Sequence, residues 1–301
     1  MCRSSISAKK FFKLYFTTIF YYLVIHSIFG VTGYNRFSWQ EAFRMMIPFV
    51  YVADGFTPAF LLFYLCIPFL NLLLQNLSQR MHAYLLVFLF CLYVIPGTLR
   101  FVFFVQMNYV SWFVVLYFLA AYVRIYPNSF FENTKFWGIS SLCCMALSAI
   151  SVVACTWLGA NRGQFMSYYF VADSNTLLAV ATGFSSFMFF KNAKIPYNRT
   201  VNKLASTCFG VLCFHAISDV MRRWLWVDTL NNVGVYHESW MPLHVILSTL
   251  GIFLVGAGID GLRMRFVEEP FFRFWDRYWG SVTEKYRGLE KKLFPKLNIQ
   301  D

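Results

Sequence analysis

The apolar stretch Leu204–Trp226 contains two side chains of the types that transfer protons, His215 and Asp219. They stand four residues apart. On a continuous helix this spacing brings both side chains to one face. A carboxylate beside an imidazole can orient the ring and raise its basicity, as a general base requires. The spacing is also compatible with an ion pair between Asp219 and Arg222 or Arg223. In that alternative, His215 simply hydrogen-bonds within the bundle.

Two further charged residues, Arg124 and Asp260, lie at the ends of other apolar runs. Charged groups at membrane depth are costly and usually mark function. At a helix end, however, a charged side chain can reach the lipid headgroups. From position alone we therefore expect Arg124 and Asp260 at the inner membrane surface.

The composition indicates what must position these side chains. Of the 301 residues, 58% are hydrophobic, 21% are aromatic and only 13% are charged, whereas soluble domains carry about 25% charged residues. So few charges cannot cover the surface of a globular protein of this size. The composition excludes a soluble enzyme, a disordered chain and a disulfide-linked secreted domain, and it predicts a polytopic membrane protein.

The net charge of +12 does not indicate a nucleic-acid partner, because the basic residues form short clusters between long apolar runs. Seven of the eight cysteines lie inside apolar segments, and the sequence has no CxxC motif. We expect no nucleic acid, no disulfide, no metal site and no tightly bound cofactor. Membrane lipids are the expected surroundings.

Continuous apolar runs favour an all-α, polytopic helix bundle over a barrel. A span needs about 20 mostly apolar residues, and eight stretches are predicted to cross. They are Phe11–Val31, Gly55–Leu74, Tyr84–Leu99, Val110–Tyr126, Phe136–Ala160, Thr176–Phe190, Leu204–Trp226 and Pro242–Phe266.

The distribution of Lys and Arg predicts the orientation of these spans. With the amino terminus inside, eleven basic residues fall in inner loops before the last span and six in outer loops. The tail after the eighth span adds more positive charge inside. We therefore predict a multi-pass protein of the cell's inner (plasma) membrane with both termini in the cytoplasm.

Four blocks of sequence carry a resemblance to a known family. They are Asp54-Gly-Phe-Thr-Pro-Ala-Phe-Leu-Leu-Phe-Tyr-Leu-Cys-Ile-Pro-Phe-Leu-Asn71, Tyr117-Phe-Leu-Ala-Ala-Tyr-Val-Arg-Ile-Tyr126, Asn202-Lys-Leu-Ala-Ser-Thr-Cys-Phe-Gly-Val-Leu-Cys-Phe-His215, and Ile259-Asp-Gly-Leu-Arg263 followed by Val267-Glu-Glu-Pro270. In this order they resemble stretches of the membrane-bound acyltransferase family 3, and together they span most of residues 11–275. The resemblance makes 1–275 the transmembrane domain and 276–301 a basic cytoplasmic tail.

The resemblance implies an integral-membrane O-acyltransferase. Members of the family typically move an acyl group, commonly acetyl from acetyl-CoA, onto a sugar hydroxyl of a surface polysaccharide or glycolipid. His215 and Arg124 stand at matching motif positions, so His215 is expected in the catalytic site and Arg124 in substrate binding. The catalytic role predicted for Asp219 depends on helical spacing alone.

Family members begin with two helices that have no counterpart here, and the first of these carries an Arg and the His usually assigned as the base. The resemblance therefore predicts either a truncated chain or a homologue without the usual catalysis. Two other functions remain open. The first is a transporter or flippase for a lipid-linked saccharide, because polar residues at mid-membrane would serve either activity. The second is a non-catalytic scaffold in an envelope assembly.

Overall fold

The computed structural model describes residues 8–36, 38–44, 46–47, 55–99 and 107–277, and within these ranges every regular element is helical. The helices are α1 (Ala8–Val31), α2 (Trp39–Arg44), α3 (Phe56–Gln75), α4 (Gln79–Leu99), α5 (Tyr109–Ile125), α6 (Thr134–Arg162), α7 (Leu177–Asn192), α8 (Arg199–Ser206), α9 (Cys208–Ala216), α10 (Asp219–Arg223) and α11 (Met241–Arg263). Wider π-helical turns follow α10 at Trp224–Thr229 and α11 at Met264–Glu268.

Five helical stretches in the described part of the chain are long and apolar enough to cross a membrane: Lys9–Val31, Phe56–Gln75, Gln79–Leu99, Thr134–Arg162 and Met241–Arg277. A sixth is a bent pair, Arg199–Ala216 with Asp219–Thr229. The chain is therefore a helical, multi-pass membrane protein. The predicted count of eight spans is not confirmed, because α5 and α7 have only 17 and 16 residues.

Asparagine side chains cap the first turns of several helices. Asn108 accepts hydrogen bonds from the backbone N–H groups of Val110 and Ser111 at the start of α5, and Asn198 does the same for the first turn of α8. Each bond satisfies an N–H group that has no partner within the helix. At the other end of α6, Gly163 adopts the left-handed conformation (φ 63°) and ends the helix.

The chain divides into two compact units. Within the described part of the chain, one unit lies in residues 66–196 and the other in residues 8–65 and 197–277. In the first unit α6 packs along α7, and small polar side chains meet between them, with Ser141 Oγ 2.8 Å from Ser186 Oγ. Gly138 lets the two helices approach, because a Cβ there would lie 3.1 Å from the Phe189 ring.

In the second unit, α9 packs between α1 and α11. Its core joins Tyr21, Ile25 and Phe29 of α1 to Cys213 of α9 and to Ile217, the residue that follows α9. Every one of these side chains is buried. The tight packing holds the end of α9 against the first helix of the chain.

The predicted continuous span Leu204–Trp226 is wrong, because the helix breaks at Ile217 and Ser218 and its two parts meet at 87°. Ser218 has extended backbone, and its hydroxyl accepts a hydrogen bond from the Met221 N–H. An N-cap of this kind begins a new helix and prevents the preceding one from continuing through it. Asp54 of the first block and residues 278–301 of the predicted tail lie outside the described residues.

Candidate functional site

His215 lies half-buried in the last turn of α9. Its Nδ1–H donates a hydrogen bond to the carbonyl oxygen of Val211, one turn earlier, with a length of 2.6 Å. Because the hydrogen bond of one ring nitrogen determines the tautomer, Nε2 becomes the acceptor nitrogen of the neutral ring. The edge of the ring faces Trp226, whose ring centroid is 6.3 Å away. The arrangement leaves His215 with a basic nitrogen at Nε2.

Asp219 does not take part in this arrangement. The prediction that it shares a helical face with His215 is wrong, because the break at Ile217 and Ser218 separates the two residues. The side chain of Asp219 is 85% exposed, and Arg222 Nη1 lies 3.3 Å from its Oδ1. The alternative considered from the sequence, an ion pair within the turn, therefore describes Asp219, and the Val211 carbonyl is the group that orients the imidazole.

Arg124 is exposed in the last turn of α5, in the unit of residues 66–196. Two residues earlier, the ring of Tyr122 packs nearly perpendicular to the ring of His82. A guanidinium at this position can bind anionic groups, because it presents several N–H donors in a fixed plane.

A buried polar network lies near the end of α11. Asp260 is 1% exposed, and its Oδ1 accepts hydrogen bonds from the Tyr21 hydroxyl at 2.9 Å and from Arg263 Nε at 2.6 Å. The expectation that Asp260 reaches the membrane surface is therefore wrong. Its second oxygen, Oδ2, is also buried and has no hydrogen-bond partner among the residues that the structure describes.

The network continues to Lys13, near the start of α1. Arg263 Nη1 lies 2.9 Å from Glu268 Oε2, and Lys13 Nζ lies 2.6 Å from Glu268 Oε1. Two carboxylates thus alternate with two cations. Pairing of this kind is what makes buried charge tolerable, since an unpaired buried charge costs several kcal/mol.

Gly210 on α9 completes the surroundings of Asp260. A Cβ at Gly210 would lie 2.0 Å from Asp260 Cγ, so only glycine fits against this carboxylate. Gly210 belongs to the third block of the family resemblance, and Asp260, Arg263 and Glu268 belong to the fourth. The structure therefore brings these two blocks into direct contact.

The first two blocks also meet, within the unit of residues 66–196. The Tyr117 hydroxyl donates to Asn71 Oδ1 at 2.6 Å, and Asn71 is buried. Close by along the chain, fully buried His82 is 3.0 Å through Nε2 from the Phe118 carbonyl oxygen, and it is surrounded by the rings of Phe118, Tyr122 and Tyr126. Because a carbonyl oxygen can only accept a hydrogen bond, Nε2 of His82 must carry the proton and donate it to the Phe118 carbonyl.

No family model, curated protein or solved structure matches this chain. Within the described ranges, no group of three His, Cys, Asp or Glu side chains is placed to hold a metal ion.

Sequence reasoning missed two of the features found here. His82 was not predicted as a site residue, because it follows polar residues at the start of an apolar run. Its spacing does not indicate that aromatic rings surround it. The role of Tyr21 was missed because its partner Asp260 is 239 residues away. A carboxylate inside a long apolar run was the available signal, since such a group requires a partner.

Proposed function

We propose that the chain is an integral-membrane O-acyltransferase that moves an acyl group, in the first instance acetyl, from acyl-CoA to a sugar hydroxyl of a surface polysaccharide or glycolipid. We further propose that it crosses the plasma membrane eight times, with α5 and α7 as short spans and both termini in the cytoplasm. The acyl-CoA is a substrate, and no resident cofactor is invoked.

The observation that carries the proposal is the tautomer of His215. Its Nδ1–H is engaged by the Val211 carbonyl, so Nε2 is the nitrogen able to accept a proton. As base, Nε2 takes the proton of the sugar hydroxyl while that oxygen bonds to the thioester carbonyl carbon. The C–S bond then breaks, and the proton passes to the departing thiolate, which leaves as the free thiol of CoA.

The contacts between sequence blocks add support. Blocks that are far apart in sequence meet at Asn71 with Tyr117 and at Gly210 with Asp260, two positions where a hydrogen bond or a close approach depends on residue type. Contacts of that kind are expected if the four blocks act as parts of one fold, as the resemblance implies.

The exposed guanidinium of Arg124 suits the phosphates of the donor. We propose that it binds the anionic part of acyl-CoA, because guanidinium groups pair with phosphate through two parallel N–H donors. Arg124→Gln is then expected to raise KM for acyl-CoA and to leave kcat nearly unchanged, since this contact is equally strong in the ground state and the transition state.

Acetyl incorporation into surface glycan tests the proposed activity. In a strain deleted for the gene, the wild-type chain should restore acetylation, and His215→Asn should lower the rate by about 10²–10⁴, the usual contribution of a general base. Asparagine keeps an N–H near the position of Nδ1 but has no basic nitrogen. His237→Asn is the matched control, because His237 is exposed in a loop.

Two results of this assay would count against the proposal. One is wild-type acetylation from His215→Asn at equal membrane abundance, and the other is no difference between the deletion strain and its parent. Asp219→Asn distinguishes the two explanations of how His215 is oriented as the base. It should retain activity if Val211 orients His215, and it should lose activity if the predicted role of Asp219 holds.

One observation favours a second function, a transporter or flippase for a lipid-linked saccharide. The 87° break between α9 and α10 interrupts an apolar stretch, and interrupted helices often surround substrate sites in transporters. Reconstituted vesicles holding a fluorescent lipid-linked sugar distinguish the two activities. Movement of the lipid between leaflets without any acyl donor would favour the transporter, whereas acyl transfer without such movement would favour the enzyme.

A further inference from the structure

Two short helices of the unit 66–196 leave a groove between them. Both α5 and α7 pack on α4, yet a cavity of about 420 Å³ remains between their facing sides. Helices in close contact leave few gaps larger than a water molecule. A space of this size falls within the range of ligand sites.

The groove has a buried floor and an exposed rim. Its floor includes Trp112 of α5 and Val180 of α7, which are 3% and 8% exposed, and its rim includes Leu116 and Phe187, which are 37% and 53% exposed. Nearly all of the lining is carbon, and the polar exception is Ser174, just before α7. The groove is thus apolar along its length and polar at one end.

The distribution of apolar and polar side chains along the groove indicates which kind of molecule binds there. Because the lining offers almost no hydrogen-bonding groups, water would bind poorly in the groove, and acyl chains are the solvent around apolar spans. The distance from Trp112 to Ala120 corresponds to about 12 Å of helix at about 1.5 Å per residue. A flexible acyl chain of a lipid can follow such a groove and place the polar end of the chain at Ser174.

We propose that the groove between α5 and α7 binds one hydrocarbon chain of a membrane lipid, with the polar end of that chain at Ser174. The site is independent of the proposed acyl transfer. Gly183 lines the groove and leaves open space where a side chain would stand, because a Cβ added there would meet no atom within 4 Å. A larger side chain at this position fills the groove without disturbing its walls.

Photolabelling of the purified full-length chain tests the site. Nanodiscs of phosphatidylethanolamine and phosphatidylglycerol would contain a trace of a phospholipid with a diazirine near the end of one acyl chain, and labelled peptides would be mapped by mass spectrometry. Labels are expected on α5 and α7, with a yield that saturates as the probe increases. Gly183→Leu should lower that yield by about tenfold or more, the effect of losing about two methylene contacts.

Two further variants make the result specific. Gly251→Leu is the matched control, because Gly251 on α11 also has open space around an added Cβ, and it should label like the wild type. Ala120→Leu narrows the groove from the opposite wall and should act like Gly183→Leu, so a folding defect of one variant does not decide the outcome.

Three outcomes would overturn the proposal. Equal labelling of α5 and α7 in wild type, Gly183→Leu and Ala120→Leu would mean that only bulk lipid contacts these helices. Labelling that rises in proportion to the probe without saturation would mean the same. Efficient disulfide formation between two copies that carry Leu116→Cys would show that a second copy covers the groove.

Discussion

Gly210 and Asp260 approach each other so closely that a single added carbon at position 210 would lie 2.0 Å from the carboxyl carbon. The carboxylate cannot easily retreat, because its Oδ1 is hydrogen-bonded to Tyr21 and to Arg263. The contact therefore joins α9, which carries His215, to the polar network at the end of α11.

Gly210→Ala is expected to destabilise the protein by about 1–3 kcal/mol, the usual cost of forcing extra volume into a packed site. Chemical unfolding in detergent micelles measures this change. Gly251→Ala is the matched control, since no atom lies within 4 Å of its added Cβ. Equal stability of the two variants would show that Asp260 moves aside without cost.

The pair formed by Asp260 and Arg263 should behave as a coupled unit. Asp260→Leu leaves a buried guanidinium with fewer partners and is expected to cost about 3–5 kcal/mol, whereas the double variant with Arg263→Met should recover much of that loss. A double-mutant cycle of unfolding free energies measures the coupling. Additive losses would contradict the pairing. The exposed Asp219 offers a control, because Asp219→Asn should change stability by less than about 0.5 kcal/mol.

The helix break before α10 depends on the Ser218 cap. Ser218→Ala removes the acceptor for the Met221 N–H and should cost about 1 kcal/mol, whereas Ser218→Asp retains an acceptor and should stay close to wild type. Unfolding curves of the three proteins provide the comparison. If the alanine and aspartate variants are equally stable, the hydroxyl does not hold the break.

The Tyr34 hydroxyl donates a hydrogen bond to the Asp228 carboxylate, outside the span of α1. That bond raises the pKa of Tyr34, because ionising the phenol would remove the donor and place two negative charges together. The stabilisation is complete below the ordinary tyrosine pKa of about 10 and is lost as pH rises through the higher pKa of the folded state.

Tyrosinate absorbance measures this shift. The difference between wild type and Tyr34→Phe should show one tyrosine that ionises later than an ordinary one. Asp228→Asn should move that transition back toward the ordinary value. If Tyr34 ionises at the same pH in the wild type and in Asp228→Asn, the carboxylate of Asp228 does not act on the phenol.

Hydropathy predicts long spans well, because a continuous apolar run leaves little choice of structure. The fifth predicted span, Phe136–Ala160, lies within α6, whose bounds extend it by only two residues at each end. The start of α4 was placed too late, since Gln79 and Arg80 form its first turn and contribute nothing to an apolar signal.

The break in the seventh predicted span had no comparable signal. Ile217 and Ser218 include neither Gly nor Pro, and serine also occurs inside membrane helices, where its hydroxyl bonds to the preceding turn. The spacing between His215 and Asp219 was therefore assigned to a continuous helix. Whether Ser218 caps a new helix depends on packing such as that of buried Ile217, which a local pattern does not contain.

Polar residue types inside apolar runs could be recognised from the sequence, whereas their pairings could not. The sequence singled out His215, Arg124 and Asp260 because polar groups are rare in apolar runs. It did not pair Asp260 with Tyr21, since that contact is made across 239 residues of chain. Partners of this kind follow from the order in which helices pack, and periodicity within one helix does not encode that order.

The alternation of Lys13, Glu268, Arg263 and Asp260 has an electrical consequence. Two positive and two negative groups sum to zero, so a movement of the whole cluster along the membrane normal does no work against the transmembrane voltage. Protonation of either carboxylate would leave one uncompensated charge, which is worth about 2.3 kcal/mol per 100 mV across the full membrane. The neutral arrangement thus makes a joint movement of α1 and α11, with Lys13 still paired to Glu268, insensitive to the energised state of the cell.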